Sequence, residues 1–319
     1  MISLRQHIFS LVAVFVALAI GIAAGSTVVR GPLLESTRAR LESAEQLIDI
    51  ERAENEILAA EVDQLEGFAE EGPEQLLAGR LTGSSVLLIV AGDVESTAVR
   101  GVIRSVRAAA SEYLGQIRLD PSLFDPEDTA AVAEAIGLDP ATPTEQVLEV
   151  FGERAAQQIA EVGALLEGEI PEQGAVRAVF GDLEDAGLVD LLDVPGTATG
   201  SSEFDVVVLT DRNVPHDPAP LLEALVTRPI GDAAVLADTV MLVAEVGRLD
   251  SGNDEPVPSF VGRIRDDGRL RDEVSTVDNA ETILGWVAVV LGLEASQRGL
   301  VGHYGFRSGA DQAIPARGS

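Results

Sequence analysis

From residue 8 to residue 29 the chain runs 22 residues without a formal charge. As a helix rising about 1.5 Å per residue, that run is about 33 Å long, against a hydrocarbon core of about 30 Å. It predicts one membrane crossing, with residues 1–30 as an anchor. A cleaved signal peptide is the competing reading, since Ala19, Gly21, Ala23 and Ala24 are small enough for a cleavage site. The run exceeds the usual apolar core of a signal, about 7–15 residues, which favours the uncleaved anchor. Arg5 and His7 precede it; Arg30, Arg38 and Arg40 follow, mixed with Glu35 and Glu42. That charge balance is close to even, and the short basic start places the amino terminus in the cytoplasm and the bulk of the chain outside it.

After Gly31 and Pro32, residues 31–72 carry a heptad pattern. With Leu34 at position a, the a residues are Leu34, Leu41, Ile48, Asn55 and Val62, and the d residues are Thr37, Ala44, Glu51, Leu58 and Leu65. An Asn at a single a position favours two strands in register. Upstream, Gly21 and Gly25 form a GxxxG, which lets two helix backbones approach closely in lipid. Both features call for a parallel homodimer or higher homo-oligomer through a coiled-coil stalk. The alternative is one amphipathic helix folded back on its own domain.

The sequence holds 53 acidic residues against 22 basic ones, all of them Arg, for a net charge of −31. Such a surface argues against nucleic acid as a partner and favours solubility. Without a single Cys, the fold needs no disulfide and offers no thiolate.

Residues 76–310 read as an α/β domain and residues 311–319 as a flexible tail. Residues 85–91 and 204–210 are short, fully apolar, β-branched runs, as in strands buried on both faces. Further strands are expected at 116–119, 233–237 and, as an edge, 260–264. Helices are expected at 96–114, 144–166, 176–192, 221–226 and 281–296, with a short one between 120 and 143. This alternation predicts a mostly parallel, doubly wound sheet covered on both faces.

Three expected strands end in a carboxylate: Asp93, Asp211 and Asp238. Clustered oxygens bind hard cations, and ligands in such sheets sit beyond the strand carboxyl ends. Asp is also a common helix N-cap, which is the plainer explanation. Gly92 stands alone in its turn, so no dinucleotide fingerprint exists. His216, in a rigid polar turn, and His303, packed near the last helix, lack a nucleophile motif beside them. No catalytic residue and no cofactor is assigned. With Met1 and Met241 the only other soft ligands, no copper chelation site is legible.

Met1-Ile-Ser-Leu-Arg-Gln-His7 leading into the apolar run, Ser275-Thr-Val-Asp-Asn279, and Gly302-His-Tyr-Gly305 together resemble the actinobacterial copper transport protein B family. The likeness extends in segment order over nearly the whole chain. It implies a non-enzymatic envelope protein, oligomeric and pore-forming in an outer membrane, with copper as the transported ion. A pore needs a closed barrel or several spanning helices, and one spanning helix is legible. A single-pass scaffold that binds an envelope protein partner, such as a cell-wall hydrolase, therefore stands as the alternative.

Overall fold

The computed structural model describes residues 7–24, 41, 46–53, 55–56, 58, 60, 75–168, 170–196, 203–211, 219–231, 239–247 and 259–315. Gly25, Val62, Leu65, His216, Asp238 and the strand expected at 233–237 lie outside them. Residues 1–68 and 69–319 form two compact units.

In the first unit, α1 (His7–Ala24) is 18 residues long, with a mean hydropathy of 2.4 and every residue exposed. An exposed helix of that apolarity has no reason to be stable in water and every reason to be stable in lipid. Residues 46–53 are helical, and Leu47, Ile48 and Ile50 on them, with Leu58 beyond, are exposed.

The second unit contains a seven-stranded sheet in the order β3-β2-β1-β4-β5-β6-β7. Its strands are β1 (Ser84–Ala91), β2 (Glu112–Leu119), β3 (Val189–Leu192), β4 (Glu203–Asp211), β5 (Thr239–Val246), β6 (Ser275–Val277) and β7 (His303–Tyr304). All neighbours run parallel except β2 and β3. The centre is the parallel trio β1, β4 and β5, paired along its whole length, with apolar middles at Val86–Ala91, Val206–Leu209 and Met241–Ala244.

Both faces are covered. On one, α4 (Thr144–Glu167), preceded by the short α3 (Thr129–Ala135), joins α5 (Ala175–Asp185) and α6 (Ala219–Gly231) in burying Phe151, Ile159, Phe180 and Leu221 against Ile89, Val206 and Val208. On the other, α2 (Ser96–Ala108) and α9 (Ile283–Gln297) bury Val99, Val102, Val289 and Leu293 against Leu88, Val207 and Leu242. Gly101 of α2 is where those two helices touch: a Cβ there would stand 2.1 Å from the Trp286 ring.

Three expectations need correcting. The helix over 96–114 stops at Ala108, because Ala110 turns left-handed (φ 62°) and the chain enters β2 already at Glu112. The helix over 176–192 splits at Gly187 (φ 71°), whose amide donates to Glu184 O while Leu188 N donates to Leu183 O at 3.0 Å. That paired capping motif ends α5 and releases β3. Residues 260–264 form no edge strand but α7 (Phe260–Asp266), with Ser259 as N-cap accepting from Gly262 N at 2.9 Å. Its buried residues Phe260, Val261, Ile264 and Arg265 follow helical spacing. Among the described residues the strand that follows α6 is β5, and a short α8 (Leu270–Glu273) precedes β6.

Candidate functional site at the carboxyl ends of the strands

The strand order reverses at β1. The chain leaves it through α2 to β2 on one side, while β4 lies on the other. Such a switch point opens a crevice beyond the carboxyl ends. Here it is a cavity of about 430 Å³ lined by Asp93, Glu95, Asp211, Val246, Gly247 and Glu281 among others. Two of the three expected carboxylates, Asp93 and Asp211, therefore do meet. Glu95 and Glu281 join them, and neither was singled out from sequence. Glu95 was findable as the residue that begins the first helix, and Glu281 as the start of the last.

Asp93 and Glu95 sit at the amino end of α2, where negative charge is favourable against the helix dipole. Glu281 is half-buried, which pushes its carboxyl up from the usual carboxylate range; the amide of Gly247, donating to it at 3.4 Å, and the nearby Arg307 guanidinium pull the other way. Among the described residues, no three acidic or His side chains stand close enough to hold one metal ion. A phosphate is excluded on charge: its usual place before the first helix is filled with carboxylates.

Beside the cavity lies a buried ionic network that ties the segment after α9 to the sheet. Arg265 and Asp278 form an ion pair at 2.6 Å with both side chains about 1% exposed. Asp278 also accepts from the amides of Phe306 (2.9 Å) and Arg307 (3.1 Å). Arg265 spends its other donors on Thr276 Oγ1 (3.0 Å) and Tyr304 O (2.9 Å). Arg307 in turn pairs with the fully buried Glu245 and donates to Gly247 O. Glu245 takes the Ser259 hydroxyl at 2.9 Å as well. With each carboxylate met by several donors, these buried charges are compensated. Gly305 (φ 132°) permits the approach, since a Cβ there would lie 2.1 Å from Asp278 Oδ1. The two short motifs near the end of the chain are thus β6 and β7 with their fastenings.

His303 belongs to that network and is buried. Its Nε2 lies 3.0 Å from Arg271 O and so donates; Nδ1, 2.9 Å from Thr276 Oγ1, then accepts, while that oxygen accepts from Arg265. The carbonyl of Arg271 fixes a proton on Nε2, and burial, the main cause, lowers the pKa of the ring and so favours its neutral form. Because the unfolded His protonates below about pH 6.5 and the folded one resists, its contribution to stability is present above that pH and is lost as pH falls. Glu281 has the opposite sign, its raised carboxyl gaining a proton in the fold as pH falls. Urea unfolding of a Glu281→Gln protein at about pH 7.5 and about pH 5.5 should show stability falling on acidification. The fall should shrink when His303→Gln is added; an unchanged slope would exclude His303 as its source.

The family of copper transport outer membrane proteins, MctB, has a model that matches residues 1–315. The chain belongs to this family. Curated relatives called copper transporter MctB agree in extent. Those of Mycobacterium tuberculosis and Mycobacterium bovis are 27% identical over 97% of this chain and 98% of their own length. That of Mycobacterium leprae is 24% identical over the same shares. The family is one of transporters, not of enzymes. The resemblance read from the opening heptapeptide and the β6 and β7 motifs is thereby borne out, and among the described residues one apolar helix is long enough to cross a membrane.

Proposed function

We propose that this chain is an envelope protein of copper homeostasis, anchored by α1, whose head acts without chelating the metal itself. The end-to-end match to a copper-transport family carries the reading. The chemistry of the head limits how: with no Cys anywhere in the chain, copper(I) finds no thiolate. Copper therefore passes by way of an oligomer, or by a partner that the oligomer organises. The exposed apolar residues Leu47, Ile48, Ile50 and Leu58 support association along residues 31–72. So does Gly21, since a Cβ there would meet nothing within 4 Å of its own chain. Gly25, Leu41, Asn55, Val62 and Leu65 complete the proposed seam, with the head, residues 76–310, outside the cytoplasm and residues 311–319 as a tail. An outer-membrane site follows the family's description.

A strain lacking the gene should stop growing at several-fold lower copper, and full-length protein should restore tolerance where a chain without residues 7–24 does not. Normal copper tolerance in the deletion strain would overturn the reading. Purified residues 76–319 should bind copper(I) no better than a generic acidic protein.

A second reading is favoured by the spanning helix being single among the described residues: the protein is a scaffold whose head holds an envelope protein partner. Disturbed cell separation in the same strain, with copper tolerance intact, would select it.

A further inference from the structure

Little apolar burial holds the stretch after α9 to the sheet. Residues 302–305 are buried, but none of residues 306–315 is, and β7 itself is two residues long. Docking therefore rests on polar contacts, and His303 stands at their centre. Its amide donates to Asp311 Oδ2 at 3.1 Å, and its carbonyl accepts from the Asp311 amide at 2.8 Å. Its ring, in a residue only 2% exposed, ties β7 to α8 through Arg271 O and to β6 through Thr276 Oγ1.

That ring has room for one proton. With Nε2–H held by Arg271 O, Thr276 Oγ1 serves two neighbours: it accepts from Arg265 Nε at 3.0 Å and gives its own hydrogen to Nδ1. A second proton, on Nδ1, would bring two cationic N–H groups to one hydroxyl and leave the hydroxyl hydrogen without its acceptor. The charges facing the ring do not offset this. Arg265 of α7 and Arg271 of α8 oppose a charged ring, and Asp311, beyond β7, favours one. Asp311 is exposed and already shared with Arg271 at 3.1 Å. Asp278, beyond Arg265, is paired with that guanidinium at 2.6 Å.

We propose that residues 302–315 are an acid-released latch: protonation of the His303 ring frees β7 and the turn after it from β6 while the rest of the head stays folded. Release draws Arg307 away from Glu245 and Gly247 O and bares the outer edge of β6. Acid thereby uncovers a strand edge and the end of β5, both shut at neutral pH. In the released segment the ring takes its proton near the ordinary His value, about 6.5, and in the docked one it resists. Docking is therefore strongest above about pH 6.5, and its equilibrium weakens by up to about tenfold per pH unit as pH falls below that.

The test is amide hydrogen exchange of the full chain in detergent, read by mass spectrometry at about pH 7.5, 6.5 and 5.5, with labelling times scaled to the intrinsic rate. Protection over residues 302–312 should fall by up to about tenfold per pH unit below about pH 6.5, while β1 and β4 keep theirs. His303→Gln should abolish the fall, and His216→Gln should leave it as in the parent. Slow exchange at the imidazole C2–H of the unaltered protein reads the His303 titration directly, and decides the matter where His303→Gln does not fold. Its midpoint should lie below about 6.5. Flat protection in the parent, a fall that survives His303→Gln, or a His303 midpoint at or above about 6.5 overturns the proposal. So does a parallel loss of protection in β1 and β4, which would mean that the head unfolds as a whole.

Discussion

Replacing Asp278 with alanine is expected to cost the head about 3–5 kcal/mol, the usual result of leaving a buried charge without its partner. Three groups lose their acceptor at once: the Arg265 guanidinium and the amides of Phe306 and Arg307. Gly305→Ala should act at the same point from the other side, forcing a Cβ within 2.1 Å of Asp278 Oδ1 on a backbone at φ 132°. Arg271→Ala, which breaks a half-exposed pair with Asp311, should cost under about 1 kcal/mol. Urea unfolding of the three proteins decides, with limited proteolysis reporting whether residues 303–315 come away first. An Asp278→Ala head within about 1 kcal/mol of the parent would show that the network does not hold the sheet's edge.

The second large effect belongs to the proposed stalk. Leu58→Asp should abolish association of full-length protein in membranes, because it would bury an unpaired carboxylate in the seam. Asn55→Ile should do the reverse to a peptide spanning residues 33–68. The melting temperature rises while the preference for two strands loosens, since the buried amide no longer has to find its mate. Crosslinking of the full chain and sedimentation equilibrium of the peptides read both. Should the parent peptide be monomeric and the full chain crosslink only as monomer, the folded-back helix replaces the dimer.

The parallel centre of the head was legible because β1 and β4 are written in residues that suit nothing else. The runs Val86–Val90 and Val206–Thr210, five residues each and all β-branched or Leu, leave no polar face for an amphipathic helix. The last helix was equally plain. Where the reading failed, a local turn outweighed the pattern. Gly187 cut one apolar stretch into α5 and β3, and Ala110 cut another with a left-handed turn that no Gly or Pro announces. Phe260 and Val261 looked like strand residues but are held helical by the Ser259 cap and by Glu245, a carboxylate fourteen residues upstream.

At the candidate site, Asp93 and Asp211 came from the strand-end rule. Glu95 and Glu281 escaped it because they head helices rather than end strands, and only the fold brings the four together. The network around Asp278 was invisible for a different reason. Its partners Arg265 and Arg307 lie 13 and 29 residues away, and nothing in their neighbourhoods distinguishes them from surface arginines.

The edge strand β7 and the Arg307 clamp have a consequence for biosynthesis. Until residues 303–312 emerge, β6 lacks its outer neighbour, Glu245 is a buried acid with no counter-ion, and Arg265 a cation lacking two of its backbone acceptors. The β6 edge of the sheet therefore closes only once residues 303–312 have docked. A chain cut just before residue 303 would keep most of its core and leave Glu245 without its counter-ion, a natural substrate for proteolytic clearance.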